Sequence, residues 1–215
     1  MPVAVDRYEL GQIGTNCYVV RADLQAEDAV VVDPGDDAAA LRLELARTGA
    51  RCAAILVTHT HWDHIGGVAE LAEGTGAPVY APEGESDILE RADQIYGALG
   101  VRVRPWTADV WLAGDENLEL AGVRLETLPV PGHSPGHLAY VADGCVFSGD
   151  VLFAGGVGRT DLPGGDWETL LASIRLLGER LPADTIVYSG HGSPTRLGEE
   201  LASNPFLADL RAAGQ

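Results

Sequence analysis

The chain has 215 residues, with 14 basic residues against 32 acidic ones and a formal net charge of −18. This acidity argues against nucleic acid as a partner, because binding to phosphates depends on Lys and Arg. All 14 basic residues are Arg, which excludes a P-loop lysine, a Schiff-base lysine and a polybasic membrane-binding patch. A hydrophobic content of 46% and this length predict one folded domain over residues 1–215.

The sequence also predicts a cytoplasmic location. No apolar run approaches the roughly 20 residues needed to span a bilayer. The first residues, MPVAVD, lack the basic start and apolar stretch of a signal peptide. The three cysteines, Cys17, Cys52 and Cys145, are far apart and form no CxxC pair, so we expect buried, reduced thiols. The sequence predicts no membrane partner and leaves the oligomeric state open.

The first quarter of the chain alternates strand patterns with one helix. Val3–Glu9 and Thr15–Val20 have the two-residue period of half-buried strands. Asp28–Asp33 and Ala53–Thr58 are continuous apolar runs, which are typical of strands covered on both faces. Between these two runs, Ala38–Arg47 predicts a helix.

Three further strands are predicted near the middle of the chain, at Val123–Leu128, Leu138–Ala142 and Cys145–Ser148. Asp143-Gly144 predicts a hairpin turn between the last two. The glycine-rich segment Gly155–Gly165 follows them. It contains neither a P-loop nor a GxGxxG motif, so it predicts a loop that passes close to another part of the protein.

The last part of the chain has the clearest helical pattern. Trp167–Leu181 carries one apolar stripe behind Asp166, which we expect to cap the helix. Thr185–Ser189 is another buried strand, and a short terminal helix through Leu210 is predicted behind Ser203 or Asn204. Together these elements predict an α/β sandwich.

Ligand-type side chains follow several of these strands. Three of the six histidines lie within residues 59–64, HTHWDH, and His133, Asp150 and His191 each follow a later strand. Strand ends along one edge of a sandwich are rigid and can hold ligands in a fixed geometry. Packing alone does not explain the histidine cluster, because burying unpaired polar groups is costly.

The number of donors indicates more than one metal ion. Five imidazoles and two carboxylates are available, from His59, His61, Asp63, His64, His133, Asp150 and His191. One tetrahedral zinc takes four ligands, so we expect two divalent ions that share a carboxylate. Imidazole and carboxylate donors favour zinc, with iron or manganese as alternatives. Two ions about 3.5–4 Å apart would hold a bridging water and lower its pKa towards neutrality.

Two neighbours of these residues receive other predictions. His137, four residues after His133, is expected to support the site by a hydrogen bond and not as a ligand. Trp62, between candidate ligands, is expected to contribute packing rather than chemistry.

The HxHxDH motif, together with the later His133, Asp150 and His191, resembles the metallo-β-lactamase superfamily. Residues 147–166, FSGDVLFAGGVGRTDLPGGD, are similar to the glyoxalase II-like, or hydroxyacylglutathione hydrolase-like, metallohydrolases, and in particular to their short single-domain members. Further segments also match, at Thr15-Asn16-Cys17-Tyr18, Asp33-Pro34-Gly35 and Asn204-Pro205-Phe206. The resemblance implies a four-layer αββα sandwich with a binuclear site at one edge of the two sheets.

The resemblance also implies ligand sets. It assigns His59, His61 and His133 to the first metal, and Asp63, His64 and His191 to the second, with Asp150 bridging. It separates some branches of the superfamily. The β-lactamases proper lack a bridging Asp, the nuclease branches act on polyanions that suit a −18 chain poorly, and flavin-linked diiron enzymes have Glu in place of the second motif His.

The residues that would bind the substrate differ from those of glyoxalase II proper. That family also has a further helical domain that helps to bind glutathione. The substrate could therefore carry a different thiol or be a smaller thioester. Arg159 stands where that family has a Lys that contacts the thiol carrier, which implies a role in substrate binding. An ion pair within Arg159-Thr160-Asp161 is the alternative. Asp161 and Ser193 stand where the family has tyrosines.

These features predict a hydrolase of acyl thioesters, such as S-lactoylglutathione or a related thiol ester. A metal-bridging hydroxide would attack the carbonyl, and the thiol, with a pKa near 8.5, would leave as a thiolate. We expect Asp63 to orient the hydroxide or move its proton.

Three alternatives remain open. One is a persulfide dioxygenase with a single iron held by His59, His133 and Asp150. Another is a hydrolase of lactones or other esters. The third, a metal-binding protein without catalytic activity, would be expected to have lost at least one ligand, and none is lost here.

Overall fold

The computed structural model describes residues 2–208 and 210 and contains two six-stranded sheets. The first sheet consists, in spatial order, of β1 (Ala4–Leu10), β2 (Thr15–Arg21), β3 (Asp28–Val32), β4 (Arg51–Leu56), β5 (Val79–Pro82) and β6 (Val110–Leu112). The second contains β7 (Asn117–Leu120), β8 (Val123–Pro129), β9 (Leu138–Ala142), β10 (Cys145–Gly149), β13 (Ile186–Ser189) and β14 (Thr195–Arg196). Its spatial order is β14-β13-β10-β9-β8-β7. Between β10 and β13, β11 (Leu152–Phe153) and β12 (Gly156–Val157) form a small hairpin.

Helices cover the outer faces of both sheets. On the first sheet these are α1 (Ala38–Thr48), α2 (Trp62–Ile65), α3 (Val68–Thr75), α4 (Ser86–Glu90) and α5 (Ala92–Gly97). On the second they are α6 (Trp167–Arg180) and α7 (Leu197–Ser203). The layers therefore run helix, sheet, sheet, helix, and the expected αββα sandwich is confirmed.

The central strands are apolar on both faces because both faces are buried. In β3, Val30 and Val32 pack between the sheets with Tyr140 and Phe147 of the second sheet. The alternate residue Val31 packs instead under the helices of the first sheet. This is the physical reason for the unbroken apolar run in this part of the sequence.

The direction of the strands gathers several loops at one edge. In the second sheet β8 and β9 are antiparallel, β9 and β10 are antiparallel, and β10 and β13 are parallel. The carboxyl ends of β8, β10 and β13 therefore lie at the same edge of the sheet. In the first sheet β3, β4, β5 and β6 are parallel to one another.

Both long helices begin where the sequence predicts. Asp37 caps α1 by accepting a 2.9 Å hydrogen bond from the Ala40 N–H, and Asp166 caps α6 with a 2.8 Å bond from the Thr169 N–H. The apolar stripe of α6 is fully or almost fully buried, at Leu170, Leu171, Ile174 and Leu177. It packs α6 onto the second sheet.

Asn204 caps a helical turn near the end of the chain, as predicted, but the helix before it was not predicted. The helix α7 ends at Ser203, and Asn204 caps a 3-10 turn at Pro205–Leu207 by accepting from the Phe206 N–H. Position 209, which the prediction included, lies outside the described residues. Neither α2 to α5 nor the short strands β5, β6, β7, β11, β12 and β14 were predicted from the sequence.

The three cysteines are buried free thiols, as predicted, and burial raises the pKa of Cys52 to about 11 and that of Cys145 to about 12. Within the described residues, no helix combines the length and the apolar composition needed to cross a membrane.

Candidate metal centre

The ends of four strands bring the candidate ligands together. His59 follows β4, His133 follows β8, Asp150 follows β10 directly, and His191 follows β13. The short helix α2 starts next to His61 and supplies the rest of the HxHxDH motif. Loops attached to strand ends hold these side chains on rigid elements, as the sequence analysis anticipated.

The donor atoms form three overlapping groups, in each of which they lie within 4.8 Å of one another. These groups are His59–His61–His133, His59–His64–Asp150 and Asp63–His64–His191. The first and third coincide with the two ligand sets implied by the resemblance. Asp150, in the remaining group, also lies 3.5 Å from His191 Nε2, so its carboxylate faces histidines of both sets.

Hydrogen bonds outside the cluster orient three of the imidazoles. His133 Nδ1–H donates to the Arg159 carbonyl at 2.8 Å, and His64 Nδ1–H donates to Asp33 Oδ2 at 2.8 Å. His59 Nδ1–H donates to Thr58 Oγ1, which itself donates to Asp33 Oδ2. With one proton, on Nδ1, each of these rings presents the lone pair of its Nε2, which is the donor that a metal ion requires.

The first group fits a cation better than it fits hydrogen bonds alone. His61 Nδ1 lies 3.0 Å from His59 Nε2 and 2.8 Å from His133 Nε2. One N–H on His61 can point to only one of these two nitrogens, so the lone pair of the other Nε2 has no hydrogen to accept. Nitrogens that share one tetrahedral zinc at 2.0–2.1 Å lie about 3.3–3.4 Å apart, so a bound ion needs only a small expansion.

The other two groups contain buried polar atoms that nothing in the described chain satisfies. His64 Nε2 and Asp150 Oδ1 have no hydrogen-bond partner among the described residues, although they lie 3.4 Å apart. Asp63 Oδ2 is 3.3 Å from both His64 Nε2 and His191 Nε2. Leaving buried polar atoms unpaired is costly, so this arrangement also fits a cation.

The pKa values of the histidines also support a cation at this site. Burial, reinforced by the neighbouring histidines, lowers the pKa of His59 far below its usual value and that of His61 to about 4. Both rings are therefore neutral near pH 7, as ligands must be. At His64 burial lowers the pKa, but Asp150 and Asp33 outweigh it and raise the pKa, so the carboxylates favour a positive charge at this point.

Residues of β2 hold the loop that carries His191. The Asn16 side-chain amide donates to the carbonyls of Ser189 and Gly192, at 2.8 Å each, and the Tyr18 hydroxyl donates to Ser189 at 2.6 Å. Thr15 Oγ1 donates to Asp63 Oδ2 at 2.7 Å. These contacts give a physical role to the Thr15-Asn16-Cys17-Tyr18 segment.

Glu85 is a buried residue of the site that the sequence analysis missed. Its Oε2 accepts from the Thr60 N–H at 2.7 Å and from Thr60 Oγ1 at 2.6 Å. Its Oε1 accepts from the Ser134 hydroxyl and from the Gly136 N–H at 3.0 Å. One carboxylate therefore connects the loop of His59 and His61 to the loop of His133.

Two glycines allow the backbone to approach the ligands closely. A Cβ on Gly190 would lie 2.1 Å from Asp150 Oδ1, and a Cβ on Gly158 would lie 1.9 Å from the Asp150 carbonyl oxygen. Gly158 belongs to the glycine-rich Gly155–Gly165 segment, so the predicted close approach is present and its neighbour is Asp150.

Three other residues that the sequence singled out are Arg159, His137 and Trp62, and their contacts can be compared with the roles predicted for them. Arg159 forms an exposed, bidentate ion pair with Asp161, with both distances 2.7 Å. This is the contact foreseen as the alternative to substrate binding, although Arg159 also lines the cleft beside the histidines. His137 stacks on His59 and accepts from the Asp150 N–H at 3.2 Å, in agreement with a supporting role. Trp62 packs against the core, as predicted, and also lines the cleft.

Comparison with known proteins identifies the family of this chain. The sequence model of the Metallo-beta-lactamase superfamily matches residues 10–191, which is most of the chain. This chain belongs to the metallo-β-lactamase superfamily. The match begins in β1 and ends at His191, so it contains every candidate ligand named above.

Within the superfamily, curated relatives match over nearly their whole length. The probable metallo-hydrolase YqgX of Bacillus subtilis is 40% identical over 205 residues, which cover 94% of this chain and 96% of the relative. Hydroxyacylglutathione hydrolase GloC of Haemophilus influenzae is 36% identical over 197 residues, which cover 89% of this chain and 92% of the relative. This superfamily member is therefore a metallo-hydrolase homologue.

Solved structures of the superfamily show the same fold. BLEG-1 B3 metallo-β-lactamase superposes with a TM-score of 0.89 at 40% identity, covering 95% of this chain and 100% of that one. TTHA1623 in a di-iron-bound form superposes with a TM-score of 0.82 at 40% identity, covering 94% and 100%. Superfamily membership and the His/Asp cluster together indicate a divalent metal enzyme.

Proposed function

We propose that this chain is a binuclear metal-dependent hydrolase of acyl thioesters. The observation that supports this most strongly is the convergence of five imidazoles and two carboxylates at one sheet edge, in groups that suit two ions. The relationship to a hydroxyacylglutathione hydrolase over 89% of the chain supports the thioester as substrate. Zinc suits these donors, and the di-iron form of TTHA1623 makes iron the first alternative.

In this proposal His59, His61 and His133 would hold the first ion, Asp63, His64 and His191 would hold the second, and Asp150 would be available to both. When bound, divalent ions lower the pKa of coordinated water and polarise a substrate carbonyl. The residues around them fix the donors before substrate arrives, since outer hydrogen bonds hold the orientation of the rings of His59, His64 and His133.

Asp63 has the most direct assignment in the reaction. Thr15 Oγ1 and His191 Nε2 both approach its Oδ2, so we assign Oδ1 to accept a hydrogen bond from the attacking water and to orient it. Hydrolysis adds the oxygen of water to the carbonyl carbon and breaks the C–S bond. The products are a carboxylic acid and a thiol. Because the thiol leaves as a thiolate with little help, no separate general acid is required.

The test is a substrate panel combined with elemental analysis of the purified protein. The panel contains S-lactoylglutathione, an uncharged thioester, a lactone and a β-lactam. We expect two metal ions per chain and hydrolysis of at least one thioester. We also expect Asp150→Ala to lose metal and activity together. Thioester hydrolysis by a metal-free protein would contradict the mechanism, and activity on lactone or β-lactam alone would contradict the substrate class.

Oxygen chemistry at iron is the second candidate, because TTHA1623, which is 40% identical, binds iron, although as a pair of ions. A persulfide dioxygenase would use His59, His133 and Asp150 around one iron. His133 Nε2 lies 3.7 Å from Asp150 Oδ2, which is compatible with such a set. One iron per chain together with thiol-dependent oxygen uptake would favour this candidate over the hydrolase.

A further inference from the structure

A cleft of about 410 Å³ opens beside the donor cluster. Its floor includes His61, Asp63, His133, Asp150 and His191. Most of the remaining lining is apolar, from Ile13, Trp62, Ile88, Ile95, Leu99 and Leu162. A substrate whose reacting carbonyl lies over the candidate metal centre therefore extends along apolar side chains.

The segment from residue 88 to residue 99 supplies four of the lining residues. Ile88 belongs to α4, Ile95 to α5, and Leu99 follows α5. Tyr96, in the same segment, donates its hydroxyl to the Thr60 carbonyl at 2.6 Å, so that hydroxyl is already used. The residues of this segment that line the cleft are uncharged, so they offer a substrate apolar contact.

Two residues at this cleft are exposed although they are large and apolar. Leu99 is 73% exposed and Ile13 is 52% exposed. Exposed apolar residues are unremarkable when scattered, but here they lie together on the lining of one cleft that adjoins the donor cluster. Their position indicates contact with an apolar ligand, because folding gains little from leaving them in water.

The charges of the cleft also favour a substrate with an apolar part. Arg159 is the only cationic residue among the lining residues other than the histidines, and Asp161 pairs with it in a bidentate contact. Away from the donor cluster, a strongly anionic substrate would therefore find little compensating charge in a chain of net charge −18. The polar part of a substrate is best accommodated beside Arg159, and its apolar part along residues 88–99.

We propose that residues 88–99 bind the acyl chain of the substrate, so that the preferred substrates are thioesters of medium-length, apolar acyl groups. The proposal rests on the thioester hydrolase function proposed above. It assigns the acyl half of the substrate to the apolar surface of the cleft. The thiol half then lies towards Arg159. Selectivity for the acyl group comes from the apolar area that the acyl chain removes from water when the substrate binds.

The test is a series of N-acetylcysteamine thioesters with acetyl, butyryl, hexanoyl, octanoyl and lactoyl groups, hydrolysed by the metal-loaded enzyme. Full burial of a methylene corresponds to about fourfold in binding, so contact in a half-open cleft predicts about a twofold rise in kcat/KM per methylene. Octanamide, which carries the chain but no thioester, should bind more tightly than acetamide in calorimetry. A flat profile, or a preference for lactoyl, overturns the proposal while the hydrolase function stands. Hydrolysis of none of these thioesters, nor of S-lactoylglutathione, overturns both.

Two controls assign the effect to the proposed surface. S-octyl thioacetate carries its chain on the thiol half, and an equal gain with this compound would overturn the assignment to the acyl half. Leu99→Asn should reduce the dependence on chain length, whereas Leu43→Asn should not. Leu43 is a matched control because it is 72% exposed on α1 and is not among the residues lining the cleft. An unchanged slope in Leu99→Asn, or an equal reduction in both variants, would contradict the proposal.

Discussion

Replacing Glu85 by Gln tests whether the connection between the two ligand loops controls metal binding. Gln keeps the size of the side chain but exchanges one acceptor oxygen for an NH2 group. With the NH2 towards Ser134, the hydroxyl can turn and accept, but the Gly136 N–H loses its partner. In the opposite orientation the Thr60 N–H loses its partner.

Either orientation leaves one backbone N–H without an acceptor next to a candidate ligand. Such a loss costs about 1–3 kcal/mol in the free energy of unfolding. For a chain of this size, about 2 kcal/mol lowers the midpoint of thermal unfolding by roughly 4–8 °C. Because Thr60 lies between His59 and His61, metal affinity should also fall, by about 10- to 100-fold, as is typical when a residue that orients ligands is changed.

The assay is metal affinity by competition with a chelator at 25 °C, together with urea unfolding of the same samples. Glu200→Ala is the matched control. Glu200 is also buried, at 6% exposure, and accepts from Gly155, Thr195 and Asn204, none of which neighbours a candidate ligand. It should lose stability and keep metal affinity. Unchanged affinity in Glu85→Gln, or an equal loss in both variants, would refute the reasoning.

Three further predictions concern the ions and the cleft. Removing metal with a chelator should lower the midpoint of thermal unfolding in calorimetry, because His64 Nε2 and Asp150 Oδ1 then lie buried without a partner; an unchanged midpoint would contradict this. Asp161→Asn releases Arg159 and should raise kcat/KM for S-lactoylglutathione by about 1.5- to fivefold, the range for an exposed ion pair, without a marked change in the midpoint of urea unfolding. A lower kcat/KM would show that the pair itself is needed. Gly190→Ala places a methyl group 2.1 Å from Asp150 Oδ1, so elemental analysis should find fewer ions per folded chain, and full occupancy would be the contrary result.

The sequence contained most of the information about the strands and the candidate ligands. Buried strands such as β3 are marked by unbroken apolar runs, and α6 by its stripe and its Asp166 cap. The candidate ligands could be recognised because an HxHxDH motif is unusual and because strand ends of a sandwich meet at one edge.

Other features depend on contacts between distant parts of the chain. Glu85 is 25 residues from Thr60 and 49 from Ser134, and no local pattern relates it to them. The helix α4 has five residues and β6 has three, which is too short for a period to show. The apolar cleft was missed for the same reason, since its lining comes from Ile13, the 88–99 segment and the loop of Leu162.

The central claim is that two metal ions held by this His/Asp cluster carry out thioester hydrolysis. The most direct measurement is to return metal in steps to the chelated protein while the initial rate on a thioester is recorded. We expect a rate that depends on metal and reaches its plateau at two equivalents per chain. A plateau at one equivalent, or a rate independent of metal, would contradict it.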